Sequence, residues 1–272
     1  DIERYALINN WEGTYFDFNE EKLLNIAKKG SEIGLDLMVL DDGWFGKRDN
    51  DKSSLGDWVV YKEKLPNGLD GLASKINNLG MKFGLWFEPE MVSPDSDLFR
   101  AHPDWAIQAP GRASSLGRSQ LVLDLSRKEV CDYIIDILSD VLSNANIEYV
   151  KWDMNRSFSE FWSYGLEEEH QGELCHRYVL GLYRILETLT SRFPNILWES
   201  CSSGGCRYDG GMLYYMPQTW VSDCSDAGQR MQIQYGTSIC YPFSSMGSHV
   251  SAVPNHQTGR ISDFSTRGDI AA

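Results

Sequence analysis

The chain has 272 residues, 42% hydrophobic and 24% charged, which is enough for one large domain with a substantial buried core. Its net charge of −14 disfavours partners such as nucleic acids and anionic membranes, which recognise clustered Lys and Arg. No apolar run is long enough to cross a bilayer. The 6 cysteines form neither a dense disulfide framework nor a paired zinc motif, so we expect mostly free thiols and a cytoplasmic location.

The predicted elements alternate between short apolar strands and longer amphipathic helices, which is typical of βα units around a parallel sheet. In chain order, we predict strands at 5–10, 36–40, 82–87, 148–153, 196–201, 218–223 and 237–241, and helices at 20–34, 71–79, 128–144 and 173–193. Residues 121–125 are expected to form a short extended piece inside a long excursion. Residues 267–272 resemble the start of another strand.

This order predicts an α/β fold, a (β/α)8 TIM barrel truncated near its eighth strand. The alternative is a doubly wound open sheet, but no G-x-G-x-x-G follows the first strand. We expect residues 1–272 to form one catalytic domain. Because the sequence does not begin with Met, we expect a fragment of a longer protein.

Polar residues recur where the predicted strands end, and in a parallel barrel this edge holds the active site. These clusters are Asp41-Asp42, Glu88-Pro89-Glu90, Asp153-Met154-Asn155, Glu199-Ser200-Cys201-Ser202 and Ser222-Asp223. One such cluster could be a helix cap. Five in one chain favour a catalytic rim.

Lys151, Asp153 and Asn155 alternate along one predicted strand and should share a face. A packed barrel interior does not accept such a charged trio, so we expect it at the rim of a cavity. A lysine beside Asp153 favours the ionised carboxylate that a glycosidase nucleophile requires. The structural alternative is a buried Lys-Asp ion pair.

Two further acids, Asp223 and Asp226, follow the predicted strand 218–223. Asp223 is nearer the strand end and is the candidate general acid, a group that must be protonated before the bond is cleaved. Asp226 has an alternative role as the negative charge that complements a helix N-terminus. Two carboxyl groups about 5 Å apart give retention of configuration, and a wider separation gives inversion.

Two aspartates and two tryptophans are further candidates for ligand contact. Asp41 and Asp42 suit bidentate hydrogen bonding to neighbouring sugar hydroxyls, with a divalent metal as the alternative. The 5 histidines form no H-x-H or H-E-x-x-H motif, so we expect no metal. Trp11 and Trp86 lie at strand ends, where we favour sugar contact over core packing.

The pair Gly204-Gly205 predicts a tight turn after the strand that ends at Cys201. Small residues there would let a ligand approach the backbone closely. The simpler interpretation is chain reversal alone.

Four long motifs occur in an order that resembles the bacterial α-galactosidases of glycoside hydrolase family thirty-six. They are LDDGWFG at 40–46, GLWFEPE at 84–90, KWDMNR at 151–156 and ESCSSGG at 199–205. The resemblance covers nearly the whole chain, from Trp11 to Arg267. It implies a (β/α)8 barrel that hydrolyses terminal α-D-galactosyl residues of melibiose- and raffinose-type oligosaccharides by a retaining double displacement, with no cofactor.

The resemblance also assigns roles to residues. It implies Asp153 as nucleophile and Asp223 as general acid/base. Asp41 and Asp42 are expected to hold the C4 and C6 hydroxyls, and Arg118 to reach over the site from the long excursion. The implied substrate contacts are Trp11, Asp41, Asp42, Trp86, Arg118, Lys151, Asn155, Cys201 and Gly204.

Members of that family usually carry an N-terminal β-sandwich domain and a C-terminal β domain, which we expect to be absent from this chain. Many assemble into tetramers in which a neighbouring subunit helps to close the pocket. Alternative functions with the same acids are raffinose-synthase-like galactosyl transfer and α-N-acetylgalactosaminidase action. Alternatives from other classes are a catalytically inactive sugar-binding barrel and a metal-dependent barrel enzyme.

Overall fold

The computed structural model describes residues 4–272, and residues 1–3 of the predicted domain lie outside it. The strands are β1 (Leu7–Asn9), β2 (Leu37–Leu40), β3 (Lys82–Phe87), β4 (Met91–Val92), β5 (Leu121–Val122), β6 (Tyr149–Trp152), β7 (Leu197–Ser200), β8 (Gln218–Trp220) and β9 (Met246–Gly247). Seven of them form one sheet in the order β1-β2-β3-β6-β7-β8-β9. The short strands β4 and β5 form a separate antiparallel pair inside the predicted excursion.

Helices occupy most of the crossovers between successive strands. They are α1 (Trp11–Thr14), α2 (Glu20–Glu32), α3 (Gly68–Asn77), α4 (Asp97–Ala101), α5 (Lys128–Ser143), α6 (Leu174–Arg192), α7 (Gly210–Tyr215), α8 (Ala227–Ser238) and α9 (Phe264–Ala271). Short 3-10 helices lie at Pro103–Trp105, Glu168–Glu173 and Phe243–Ser245. The α/β class is therefore confirmed. The seven strands of the large sheet lie in the same order as in the chain, as they do in a (β/α)8 barrel.

The chain groups into two compact units. The first unit holds residues 4–150 and 154–196, and the second holds residues 151–153 and 197–272. Each unit is described by itself below.

In the first unit, β2 and β3 form the centre of the core. Every residue of β2 is buried, as expected for a parallel strand covered on both faces. Its register with β3 pairs Leu37 with Lys82 and Leu40 with Leu85. Asn19 caps α2 by accepting a hydrogen bond from the Lys22 backbone N–H, and the helix then buries a face that includes Leu23.

In the second unit, β7, β8 and β9 pair in parallel. Glu199 lies opposite Gln218, and Trp220 lies opposite Gly247. Helix α8 begins at Asp226, whose carboxylate accepts from the Gln229 backbone N–H at 3.0 Å. The charge of Asp226 thus serves as the helix cap that the sequence left open as an alternative.

Two sequence-based expectations in the second unit are wrong. Residues 237–241 were expected to form a strand, but α8 runs to Ser238, and the Thr237 hydroxyl donates to the Ile233 carbonyl as it does in helices. The next strand, β9, has only two residues, which is too short for a periodic signal. Residues 267–272 belong largely to helix α9 rather than to a strand, since Asp263 caps that helix through the Thr266 N–H.

Across residues 4–272, the helices are too short or too polar for any of them to traverse a lipid bilayer.

Candidate active site

In the first unit, Asp41 and Asp42 directly follow β2 and are each 4% exposed. The Asp41 carboxylate accepts from Asn9 Nδ2 at 2.6 Å and from the Asp42 backbone N–H at 2.9 Å. The Asp41 N–H in turn donates to Asn10 Oδ1 at 2.8 Å. The end of β1 therefore fixes the orientation of the carboxylate at the end of β2.

Arg48 holds the second aspartate. Its Nε donates to Asp42 Oδ1 at 2.5 Å and its Nη2 to Asp42 Oδ2 at 2.9 Å, a bidentate pair with Arg48 only 1% exposed. Burial raises the pKa of Asp42, as does Asp41, while the positive charges of Arg48 and Arg118 oppose that rise. Sequence reasoning missed Arg48, because Arg48 and Asp42 are six residues apart in an irregular loop, and such a spacing forms no periodic pattern.

Arg118 lies at the tip of a tight turn. Gln120 N–H donates to the Gly117 carbonyl at 3.1 Å, and both central residues are left-handed, with φ of 52° at Arg118 and 60° at Ser119. Non-glycine residues rarely adopt this conformation, and strain of this kind often marks functional sites. Arg118 is exposed and its charge acts on Asp42, so the turn places a cation near the aspartate pair.

Glu88, which directly follows β3, supports this turn. Its Oε1 accepts from Gln120 Nε2 at 2.6 Å and from the Asn155 backbone N–H at 2.5 Å, with Glu88 only 1% exposed. One carboxylate thus fixes the base of the turn that carries Arg118 and the backbone of the predicted ligand residue Asn155. Sequence reasoning placed Glu88 at the rim and assigned it no contact.

The two predicted sugar-stacking tryptophans have different environments. Trp11 begins α1 and is half-buried. Its backbone N–H donates to Asn9 Oδ1 at 2.7 Å, so Trp11 lies beside a residue that orients Asp41. Trp86 is 2% exposed and lies among buried aromatic rings, with Phe45 stacked at 6.2 Å and Trp58 at 6.3 Å. Core packing accounts for most of the surface of Trp86, and sugar contact by either ring stays a prediction.

In the second unit, Asp153 directly follows β6 and is 6% exposed. Lys151, two residues earlier, is half-buried, and its Nζ lies 6.0 Å from the centroid of the Trp220 ring. Strand β6 thus carries Lys151 and is followed directly by the buried Asp153, and the role of Asp153 as a nucleophile stays a prediction.

Asp223 follows β8 by three residues and is exposed, in contrast to Asp153. Its Oδ1 accepts from the indole Nε1 of Trp220 at 3.2 Å. Gln257 braces the same turn, since its Nε2 donates to the Asp223 carbonyl at 2.9 Å and its Oε1 accepts from the Ser225 N–H at 3.0 Å. The Asp223 side chain is exposed, while Gln257 holds the backbone of the turn at Asp223 and Ser225.

Cys201 lies among these charges at the end of β7. It is 1% exposed, and its N–H donates to the Trp152 carbonyl at 2.7 Å. Burial raises the pKa of the Cys201 thiol well above its usual value, and the negative charges of Asp153 and Asp223 raise it further while Lys151 lowers it. Three predicted site residues of this unit therefore lie within electrostatic reach of one thiol.

Gly204 has a reason of its own to be glycine. Its φ is +88°, and a Cβ placed there would lie 2.5 Å from Ser222 Cα and 2.9 Å from the Asp223 backbone N. The 201–205 loop and the end of β8 thus approach more closely than any side chain allows. This packing supports the Asp223 turn directly, a function that neither ligand approach nor simple chain reversal had suggested.

All six cysteines are free thiols. Within residues 4–272, no group of three or more His, Cys, Asp or Glu side chains is arranged to hold a metal ion.

Comparison with known proteins adds the following matches. A model of the Melibiase family matches residues 1–272. Alpha-galactosidase AgaA of Geobacillus stearothermophilus is 64% identical over 271 residues, which make up 100% of this chain and 37% of that protein. Alpha-galactosidase Mel36A of Lactobacillus acidophilus is 55% identical over 268 residues, 98% of this chain and 37% of that protein.

Solved structures agree with these matches. The crystal structure of the GH36 alpha-galactosidase AgaA superposes with a TM-score of 0.98 at 64% identity and covers 99% of this chain and 38% of that one. A substituted form of AgaA in complex with raffinose gives the same TM-score. The chain therefore spans little more than a third of the length of the relatives it matches, and the fold class predicted from its sequence is confirmed.

Proposed function

The chain belongs to the Melibiase family, and from this premise we propose that it is the catalytic part of a retaining α-galactosidase. The predicted family resemblance is confirmed. The proposed substrates are oligosaccharides of the melibiose and raffinose type with a terminal α-D-galactosyl residue. Support for this substrate class comes from the relative AgaA, a form of which was crystallised in complex with raffinose.

One observation carries the catalytic assignment. In the second unit, the charges of Asp153, Asp223 and Lys151 all act on the buried thiol of Cys201, so these groups share one electrostatic environment. The two carboxyl groups there differ in burial, as two groups with different tasks should.

The proposed reaction proceeds in two displacements. First, a carboxylate oxygen of Asp153 attacks the anomeric carbon while Asp223 donates its proton to the glycosidic oxygen, so that the C1–O bond breaks and the aglycone leaves as an alcohol. A galactosyl ester on Asp153 and an ionised Asp223 result. Then Asp223 removes a proton from water, the water oxygen bonds to C1, and the ester bond breaks to free Asp153.

The surroundings of each acid suit its task. Asp153 is buried directly after strand β6, which fixes its direction of attack, and Lys151 lies two residues before it on that strand. Asp223 must exchange protons in each turnover, and its exposed position gives water access to it. The N–H of Trp220 orients one of its oxygens.

The first unit supplies the proposed recognition groups. Asp41 and Asp42 are held by Asn9, Asn10 and Arg48, and a carboxylate group can accept several hydrogen bonds at once, which suits the binding of sugar hydroxyls. We propose that they accept hydrogen bonds from the C4 and C6 hydroxyls of galactose. The remaining proposed substrate contacts are Trp11, Trp86, Arg118, Lys151, Asn155, Cys201 and Gly204.

The decisive test is Asp153→Ala in the full-length enzyme. Turnover of an aryl α-galactoside should fall by about 10⁴-fold or more, since no other carboxylate replaces the nucleophile. Azide should restore activity and give β-galactosyl azide, because a small anion can attack from the side that the carboxylate vacated.

Asp263→Asn is the matched control, since Asp263 is a helix cap in the same unit and should leave turnover near the wild-type rate. Full activity of Asp153→Ala, or an azide product of α configuration, would contradict the proposal.

We also propose a cytoplasmic location and a homotetrameric assembly for the full-length protein. The six free thiols support the location, because oxidising compartments favour disulfides. Light scattering coupled to size-exclusion chromatography would measure the assembly, and a monomer would contradict it.

A further inference from the structure

Arg230 is a buried cation on α8 that the proposed reaction does not use. It is 0% exposed, and its guanidinium donates three hydrogen bonds to backbone carbonyls. Nε donates to Cys224 O at 2.8 Å and Nη2 to Ser222 O at 2.8 Å, while Nη1 reaches Gly247 O on β9 at 3.3 Å. Because Ser222 and Cys224 flank Asp223, one side chain holds the backbone on both sides of the proposed acid.

Trp220 connects this cation to the Asp223 carboxyl group. The guanidinium carbon of Arg230 lies 4.4 Å from the centroid of the indole ring, close enough for a cation–π contact. The Nε1–H of the same ring donates to Asp223 Oδ1. Arg230 therefore fixes the backbone of Asp223, and Trp220, packed on Arg230, fixes its side chain.

Burying a cation is costly, and buried arginines usually have a carboxylate partner. Here the hydrogen bonds go to carbonyls, and burial lowers the pKa of Arg230, although negative groups including Asp223 and Glu199 oppose the change. Only the planar guanidinium can reach the carbonyls on either side of one residue at once. These hydrogen bonds hold the Asp223 turn in a single conformation, which an apolar side chain at this position would not do.

We propose that Arg230 and Trp220 are positioning residues that hold the Asp223 carboxyl group in the direction from which it protonates the glycosidic oxygen. This inference rests on the proposed function of Asp223. It predicts a particular kind of defect, since a misdirected acid fails most where the leaving group needs protonation most.

The experiment compares two substrates in the full-length enzyme. A nitrophenyl α-galactoside has a good leaving group and needs little acid assistance, whereas the glucose of melibiose must be protonated to leave as an alcohol and needs much. For Arg230→Lys, which keeps the charge but loses the fork, kcat/KM for melibiose should fall by roughly 10²-fold, with a change of only a few-fold for the nitrophenyl substrate. Trp220→Phe keeps an aromatic ring but loses the indole N–H. It should lower the ratio of kcat/KM for melibiose to kcat/KM for the nitrophenyl substrate as well, by a smaller factor.

Arg127→Lys is the matched control. Arg127 also donates to a backbone carbonyl, that of Asp104, and pairs with Glu129, but it contacts no proposed catalytic group. It should leave the ratio of the two kcat/KM values at the wild-type level. A purely structural loss of active protein would lower kcat/KM for both substrates by the same factor.

The outcomes separate two possible failures. If Asp223→Ala shows the selective loss on melibiose but Arg230→Lys and Trp220→Phe do not, the positioning inference is wrong and the proposed function stands. If Asp223→Ala itself shows no selectivity, the proposed role of Asp223 fails first. Should Arg230→Lys not fold, the ratio measured for Trp220→Phe alone decides.

Discussion

The two units hold the carboxylates of the proposed site in opposite ways. In the first unit, Asp41 and Asp42 are equally buried, and a network of Asn9, Asn10 and Arg48 fixes both. In the second unit, Asp153 is buried and Asp223 is exposed. Groups that only recognise a ligand can share one rigid environment, whereas groups that exchange roles in a reaction need different ones.

The same contrast extends to the buried arginines. Arg48 neutralises a carboxylate directly with two hydrogen bonds. Arg230 instead binds carbonyls around a carboxylate that it does not pair with. The first unit thus orients a side chain by charge, and the second orients a backbone turn by geometry.

Substitution of Arg48 tests whether the first unit depends on the ion pair between Arg48 and Asp42. Arg48→Met leaves the Asp42 carboxylate buried without its bidentate partner, so the free energy of unfolding should fall by about 3–5 kcal/mol. Denaturant unfolding measures this loss, and affinity for galactose should fall with it.

Arg100→Met is the control for that change, since Arg100 forms ion pairs with Asp95 and Asp97 at the surface, where such pairs contribute little. Equal effects of the two substitutions would show that Asp42 does not depend on Arg48.

Gly204→Ala tests whether the second unit depends on backbone proximity. The new Cβ would lie 2.5 Å from Ser222 Cα at a φ of +88°, so the loop or the Asp223 turn must move, at a cost of about 2–3 kcal/mol. Thermal unfolding and kcat/KM for melibiose should both decrease.

Gly236→Ala, at an open and exposed position of α8, should instead stabilise the protein slightly. If Gly204→Ala behaves like Gly236→Ala, the close approach has no energetic consequence.

Asp226→Asn gives the smallest expected effect and a pH signature. A hydrogen bond from Thr258, with help from the Gln229 N–H and Arg260, holds the pKa of Asp226 below its usual value although burial raises it. The folded state therefore binds the proton less tightly than the unfolded state, and this stabilisation is present above a pH of about 4 and is lost as the pH falls further.

For the Asn variant, the free energy of unfolding should fall by about 1 kcal/mol at neutral pH and should depend less on pH below about 4, while turnover persists. Thr258→Val should reproduce part of the flattening. A variant curve parallel to that of the wild type, or complete loss of turnover, would contradict the assignment of Asp226 as a cap.

The sequence predicted those parts of the fold that depend on local pattern. The strand at 82–87 agrees with β3 residue for residue, and α2, α5 and α6 agree to within a few residues, because long amphipathic runs with clear ends specify helices strongly. The start of helix α8 at Asp226 was an open alternative, but its extent was not predicted, because α8 buries only Ala227 and Arg230 and so lacks an apolar stripe.

Candidate site residues that follow strand ends could be proposed from the sequence, whereas the residues that support them from loops could not. Asp41, Asp42 and Asp153 each follow a strand directly, which is where functional residues are expected in a parallel barrel. Arg48, in a loop, and Arg230, on helix α8, each bind groups in irregular segments, and the sequence around them gives no sign of those partners. Supporting residues of this kind emerge only from tertiary structure.

The buried thiol of Cys201 has a chemical consequence for the durability of the site. Because its pKa lies well above the usual range, the sulfur stays protonated near neutral pH, and a protonated thiol is a poor nucleophile toward alkylating agents and peroxides. The exposed Cys175, Cys206 and Cys240 meet such reagents first. The proposed catalytic centre can therefore keep an uncharged, polarizable sulfur near its carboxylates while that sulfur resists alkylation and oxidation.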